Sequence, residues 1–275
     1  MKTRFTLPSA LCFLLWLSLL ACQDHKNNPT PADTCKLAAI DRGNSNKHAY
    51  TYDAQGRVTQ MVREFDGSGS GTISRYVYTF TFDGAGLLIK STWTLDGKPN
   101  GSETYTYTTG RISKVSGVAA DGSKLTNNLK YNAAGQITEF DYDDGTPADF
   151  VRQYFAYDTE GILTKRGYDD GQGTVFFEAV TKPTGKVSSA EQLLTKAGLP
   201  FDVLTGFSWA VQTGGQGTIT EVFFPDSKTG KLVSGGTTQT MSVKTNARGY
   251  LIQQTDLDNT TETSTTELFT LADCD

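Results

Sequence analysis

The sequence predicts an all-β protein: a large antiparallel up-and-down meander of about 16–18 strands, curved into a barrel-like sheet, with one short helix inserted. Three observations carry that reading. The stretch Tyr50-Thr51-Tyr52-Asp53-Ala54-Gln55-Gly56-Arg57-Val58 recurs along the chain as a strand, turn and strand. A second series of turns falls between the copies of the first. Runs of good helix formers are nearly absent, while Gly reaches 28 residues and Tyr 12.

The chain opens with a basic head, Met1-Lys2-Thr3-Arg4, and an apolar run from Ala10 to Leu20. A run this short with these flanks reads as a secretory signal and not as a membrane span. It ends Leu19-Leu20-Ala21-Cys22. This tetrad resembles the lipobox of bacterial lipoproteins, which implies that residues 1–21 are removed and that Cys22 becomes a lipidated N-terminus. The alternative is an ordinary cleavage site with an incidental Cys. Several acyl chains on one residue anchor a protein stably, where one chain does not.

Residues 22–34 are polar and rich in Asn and Pro, and cannot bury enough apolar surface to order themselves; they read as a tether. Gln23-Asp24 partly resembles the acidic export signal of surface lipoproteins, which leaves the periplasmic and the surface face of an outer membrane both open. Residues 35–275 read as one β-meander domain, since no Pro/Ser-rich linker interrupts the repeats. Of four Cys, Cys12 leaves with the signal and Cys22 is the lipid site, so Cys35 and Cys274 remain. In an oxidising compartment two remaining thiols pair; two buried free Cys are the alternative.

The first turn series is Asp53–Gly56, Asp83–Gly86, Asn132–Gly135, Asp158–Gly161 and Asn246–Gly249, with weaker copies at Lys182–Gly185 and Ser227–Gly230. Asp or Asn caps such a turn, and Gly takes the left-handed backbone of its last residue. From Gly56 to Gly185, counting the shortened copy at Gly110, the glycines are 30, 24, 25, 26 and 24 residues apart. The second series is Asp66-Gly67, Asp96-Gly97, Asp121-Gly122, Asp144-Gly145 and Asp170-Gly171, continued less regularly by Gly214-Gly215, Gly235-Gly236 and Asp258-Asn259. Asp-Gly between alternating strands is a hairpin signal. Aromatics two apart, as in Tyr50/Tyr52, Tyr76/Tyr78/Phe80/Phe82, Tyr105/Tyr107 and Phe155/Tyr157, share one strand face and stack across neighbouring hairpins if register holds. Trp93 and Trp209 fall outside these rows.

The unit Tyr-Asp-x-x-Gly-Arg-aliphatic resembles the YD repeats of RHS-type proteins, with the Arg kept at Arg57 and Arg111. Over residues 50–257 it is similar to YD-like lipoproteins of Bacteroidota, a family with a porin-like fold. The resemblance implies a hairpin-repeat barrel in the envelope of a Gram-negative bacterium.

Ser188-Ser189-Ala190-Glu191 has capping-box spacing, Leu193 and Leu194 follow, and Gly198 and Pro200 end the pattern. A helix over residues 189–197 is therefore expected, against the alternative of a decorated loop. After Gly135 the alternating sets are Ile137/Glu139/Asp141 and Gln136/Thr138/Phe140, and neither tolerates lipid. A round barrel of sixteen strands leaves a channel too wide for side chains to fill. The sheet must flatten, stay open or line its inside with polar residues, for which the abundant Thr is suited. A curved, barrel-like sheet is favoured, closed or open, with a two-layer sandwich as runner-up.

Chemistry is sparse. Removing Lys2 and Arg4 with the signal moves the formal charge from −5 to −7, and with no basic cluster this argues against nucleic acid. Two His exist: His25 in the tether and His48, read as a solvated strand residue. Too few His and Cys remain for zinc or for a Cys–His or Ser–His–Asp centre. Asp141, Asp143 and Gly145 resemble a calcium loop loosely, but Arg152 stands where the bidentate Glu belongs. No metal or cofactor is expected. The reading is a non-catalytic envelope protein, held to the membrane by its lipid, that binds a glycan or another envelope protein. The alternative is a glycan hydrolase with paired carboxylates. The ligand site is placed at the irregular segment 188–217, where Phe201, Phe207 and Trp209 are free of packing duty.

Overall fold

The computed structural model describes residues 34–43, 45–66, 69–143, 151–182, 193–194, 199 and 218–274. Sixteen strands follow one another: β1 Lys36–Asp41, β2 Lys47–Tyr52, β3 Val58–Phe65, β4 Ser74–Phe82, β5 Leu88–Leu95, β6 Lys98–Thr108, β7 Arg111–Ala119 and β8 Lys124–Tyr131. The second half is β9 Ile137–Asp143, β10 Val151–Tyr157, β11 Leu163–Asp169, β12 Val175–Lys182, β13 Thr218–Pro225, β14 Leu232–Thr245, β15 Leu251–Asp258 and β16 Thr263–Ala272. Each pairs antiparallel with its sequence neighbours, and β1 pairs with β16 from Lys36↔Ala272 to Asp41↔Leu268. The expected barrel-like sheet therefore closes fully, with no free edge, and the sandwich is not formed. Cys35 and Cys274 are joined by a disulfide.

We call the end carrying Cys35 and the Asp/Asn-x-x-Gly turns proximal, and the end carrying the other turn series distal. At the proximal turns the chemistry is uniform. Asp53 Oδ1 accepts from the backbone N–H groups of Gln55 and Arg57, and the same pair of bonds recurs at Asp83, Asp158 and Asn246. The Asp53 carboxyl is held below its ordinary pKa, first by the backbone N–H of Arg57. Gly56 and Gly135 take φ of 77° and 87°, which a side chain with Cβ adopts only under strain.

Register shifts beside these turns, as between Thr51 and Tyr52 or Lys130 and Tyr131, mark β-bulges. Each bulge drops the second residue after the turn glycine into the barrel. Leu37, Val58, Leu88, Ile112, Ile137, Leu163 and Leu251 are all buried there, and Leu37, Val58 and Leu88 have no exposed surface. The Tyr of the repeat then reaches back one unit. Tyr52 Oη donates to the Leu37 carbonyl at 2.6 Å, Tyr107 to Leu88 at 2.9 Å, Tyr131 to Ile112 at 2.9 Å and Tyr157 to Ile137 at 2.8 Å. The cation of one unit covers the next ring: Lys36 over Tyr52, Arg57 over Phe82 and Arg111 over Tyr131. Tyr50, Met61, Phe80, Tyr105, Val115, Leu129, Phe140, Met241 and Phe269 fill the middle of the barrel.

Several expectations are corrected. Thr51, Thr79, Thr81, Thr92, Thr104 and Thr106 do not line a wet interior; they are exposed on the outer face, opposite to the aromatics. Gly235 and Gly236 form no turn; they lie inside β14. Ser227–Gly230 belongs to the distal series, capped by Asp226 Oδ1, which accepts from the N–H groups of Lys228 and Thr229. The bulge after Asn132–Gly135 puts Ile137 and Phe140 on one face and Glu139 and Asp141 on the other. Leu193 and Leu194 are helical and buried, and the rest of the expected helix 189–197 lies outside the described residues, as do Lys182–Gly185 past Lys182, Asp144-Gly145 and Gly214-Gly215.

Candidate functional site

The inner face changes character along the barrel. Aliphatics seal the proximal end, whereas the distal third carries half-buried aromatics and charges, and this mouth is the candidate site.

Two aromatic ladders line it. On β3 to β5, register sets Arg63 against Tyr76, Met61 against Tyr78 and Tyr78 against Trp93. Phe65, Tyr76, Tyr78 and Trp93 stack in a row with ring centroids 5.8, 6.1 and 5.9 Å apart and planes within 27°. Trp93 ends the row lying over Gly101, where a Cβ would collide with the indole. Arg63 caps the other end, its guanidinium 4.6 Å from the Phe65 centroid. On β11 to β13, Tyr168, Phe177 and Phe224 form the second row with centroids 5.7 and 5.6 Å apart, and Arg166 lies 5.7 Å from the Phe177 centroid. β3 and β11 are eight strands apart in a ring of sixteen, so the two arginines stand on opposite walls.

Polar groups lie between. Glu103 Oε2 accepts from Tyr105 Oη at 2.8 Å and Ser91 Oγ at 3.2 Å, and burial raises its pKa. His48, expected to be solvated, is 3% exposed and lies opposite Arg63. Burial first, then the charges of Arg42 and Arg63, push its pKa down to about 3, so the ring is neutral at pH 7. Neither of its nitrogens has a hydrogen-bond partner, nor do Asn127 Oδ1, Gln153 Oε1 and Arg63 Nε. Burial lowers the pKa of Arg166 to about 10.

On β15 and β16, Asp256 and Glu267 occupy diagonal inner positions, and burial raises both. Gln254 Nε2 donates to Asp256 Oδ2 at 2.9 Å, and Arg42 Nε meets Glu267 Oε1 at 3.1 Å. Diagonal cross-strand neighbours are about 7–8 Å apart, which is a spacing at which two carboxyls can act on one glycosidic bond.

Of the residues expected to bind or anchor, Cys35 and Cys274 are brought together as a disulfide. Cys22, Phe201, Phe207 and Trp209 lie outside the described residues. Asp141 faces outward near Lys130 and Arg152. Among the described residues no group of three or more His, Cys, Asp or Glu is placed to hold a metal. Trp93, expected outside the aromatic rows, is the end of the longest one.

No protein-family model and no curated protein matches the chain. Solved structures do. A porin-like protein from Bacteroides uniformis ATCC 8492 superposes with a TM-score of 0.53 at 13% identity, over 86% of this chain and 96% of that one. The likeness is one of fold. A porin-like protein from Bacteroides vulgatus ATCC 8482 reaches 0.38 at 8% identity, over 86% of this chain and 98% of that one. TcdB2-TccC3 without its hypervariable C-terminal region reaches 0.31 at 13%, over 77% of this chain and 11% of that one. At these two scores the likeness bears on nothing further.

Proposed function

We propose that this is a lipid-anchored protein of a Gram-negative outer membrane, attached through Cys22, whose barrel is a non-catalytic binding or scaffold module for a glycan or another envelope protein. One observation carries the reading: the outer wall of the barrel carries charged side chains. Lys47, Lys90 and Lys130 point away from the aromatic interior. Glu139, Arg152, Asp169, Lys165 and Glu178 form an outer network with Lys130–Glu139 at 2.6 Å, Arg152–Asp169 at 2.7 Å and Lys165–Glu178 at 3.0 Å. A Lys or Arg on a lipid-facing wall costs about 2–4 kcal/mol at the bilayer midplane. Among the described residues no helix is long and apolar enough to cross a membrane. A barrel of this kind stands in water, and attachment falls to the acylated Cys22.

The test is fractionation with labelled fatty acid. The wild type takes up label and sediments with membranes; Cys22→Ala takes up none and is released. A barrel spanning 34–275 stays monodisperse without detergent. Label on the Cys22→Ala protein, or a barrel that needs detergent, contradicts the reading.

Asp256 and Glu267 favour a second reading, glycan hydrolysis by paired carboxylates. It requires new reducing ends from envelope glycans, lost in both Asp256→Asn and Glu267→Gln. Turnover that survives both changes removes this pair from consideration.

A further inference from the structure

We propose that the corner of the distal mouth formed by β2 to β4 binds a hydroxycarboxylate, the group a uronic acid presents. Arg63 takes the carboxylate, and Asn46 and His48 meet the neighbouring hydroxyl. The proposal rests on the reading of the barrel as a binding module and gives it a ligand class and a place.

Register builds the corner. His48 on β2 pairs with Arg63 on β3, and Arg63 with Tyr76 on β4, all on the inner face. Side chains opposed in this way have Cβ atoms about 4.5–5.5 Å apart. Asn46 precedes His48 by two residues, the spacing that shares one side of an extended chain. Four buried polar atoms of these three residues have no hydrogen-bond partner: Asn46 Oδ1, both ring nitrogens of His48, and Arg63 Nε. Buried polar atoms are costly when left unmet. A neutral imidazole has one donor and one acceptor nitrogen. The corner therefore asks for acceptors, at Arg63 and the His48 N–H, and for donors, at Asn46 and the other His48 nitrogen.

Charge decides what kind of group answers. Asp41 is the carboxylate of β1, Glu64 that of β3 and Glu267 that of β16, while β2, β4 and β5 have none. Each is committed to another cation: Asp41 to Lys47 at 3.1 Å, Glu64 to Arg75 at 3.4 Å and Glu267 to Arg42 at 3.1 Å. Arg63 is half-buried against the Phe65 ring, and among the described residues no hydrogen bond or ion pair engages it. Water would answer the hydrogen bonds but brings no counter-charge to a cation withdrawn from solvent. A carboxylate brings both, and its two oxygens match the in-plane N–H groups that the ring below leaves open. A carboxylate has no proton for Asn46, so a hydroxyl on the next carbon is needed to complete the set. Tyr78 lies within electrostatic reach of Arg63 and adds a phenol at the edge of the corner.

The test uses the purified full-length protein and four probes: galacturonate, galactose, acetate and lactate. Binding is read from the imidazole nitrogen shifts of His48 at pH 7, with His25 as the reference, since the chain has two His. Galacturonate should move both His48 nitrogens. It should bind at least tenfold more tightly than galactose, which lacks the charge, and than acetate, which lacks the hydroxyl. Lactate carries both groups without the sugar. Weaker binding of lactate assigns the group to a glycan; equal binding keeps the ligand class and assigns it to a free hydroxy acid, which removes the glycan from the binding reading. Arg63→Gln should weaken galacturonate at least tenfold at unchanged Tm, Arg63→Lys and Asn46→Ala should weaken it less, and the outward control Lys90→Gln should leave it intact. Galactose or acetate binding as well as galacturonate overturns the proposal, as does binding that survives Arg63→Gln. So does the failure of every probe to bind, which leaves water as the occupant of the corner. Galactose binding with the His48 shifts unmoved overturns this site and leaves the binding module standing. If Arg63→Gln lowers Tm, the Arg63→Lys affinity and the wild-type His48 shifts decide.

Discussion

Leu88 and Leu95 open and close the same strand, β5, and share its inner face, yet the first is fully buried and the second half-exposed. Leu88 lies at the proximal end, where a turn, a bulge, an inward aliphatic and a Tyr bonded to the preceding unit repeat around the barrel. Leu95 lies at the distal mouth, among arginines and stacked rings that form two ladders among the described residues. The comparison separates what the repeat builds from what it leaves free. Repetition closes one end; the other is where the units diverge and polar groups stay unsatisfied.

The largest effect should come from Leu88→Ala, which removes a fully buried side chain and should cost about 2–5 kcal/mol in denaturant unfolding. Leu95→Ala should cost about 1 kcal/mol, since little of its surface change is a cavity. Equal losses would erase the distinction between the ends.

The second effect sharpens the contrast from the mouth. His48 has a folded pKa of about 3 against an ordinary 6.5, so the unfolded chain takes up the proton first. Stability is full above pH 6.5 and falls as pH drops toward 3. From pH 7 to pH 5 the loss from this one residue is about 2 kcal/mol. The raised carboxyls Glu103, Asp256 and Glu267 oppose it, because the folded state binds their protons more tightly. Comparing the wild type with His48→Gln across this range isolates the His contribution, and parallel curves would show that His48 is not held neutral by the fold.

Gly135→Val should cost about 1–2 kcal/mol, the strain of a β-branched side chain at positive φ. Its Cβ would also press on the Arg111 guanidinium that covers Tyr131. Smaller again, Tyr131→Phe removes one hydroxyl donor to Ile112 and should cost about 1 kcal/mol. Tyr76→Phe, on the ladder at the mouth, should change stability by less than that.

Much of this contrast was legible in the sequence, and the rest failed for a physical reason. The proximal turns could be read because their chemistry is local: Asp53 and Gly56 satisfy each other within four residues. Closure could not, since β1 and β16 are over two hundred residues apart and only the pair Cys35 and Cys274 hinted at it. Strict alternation from the turn leaves Trp93 off the inner face. Counting by twos from Leu88 sends Lys90 and Thr92 inward, but the bulge between Thr81 and Phe82 reverses the phase and brings Ser91 and Trp93 in. His48 was within reach, two residues before Tyr50 on the same face, and its burial follows once that face is known to be the interior. The arginines of the mouth became visible only with register, because Arg63 is placed by Tyr76 and Arg166 by the strand opposite Phe155. The expected site at Phe201, Phe207 and Trp209 belongs to the segment outside the described residues.

Amide hydrogen exchange on the intact protein tests the central claim most directly. If the proximal end is the sealed one, the amides at Val58, Leu88, Ile112, Ile137 and Leu163 exchange only with global unfolding. Those at Glu64, Tyr76, Leu95 and Tyr168, near the distal mouth, exchange faster through local opening. Uniform protection along the strands, or slower exchange at the distal end, would contradict it.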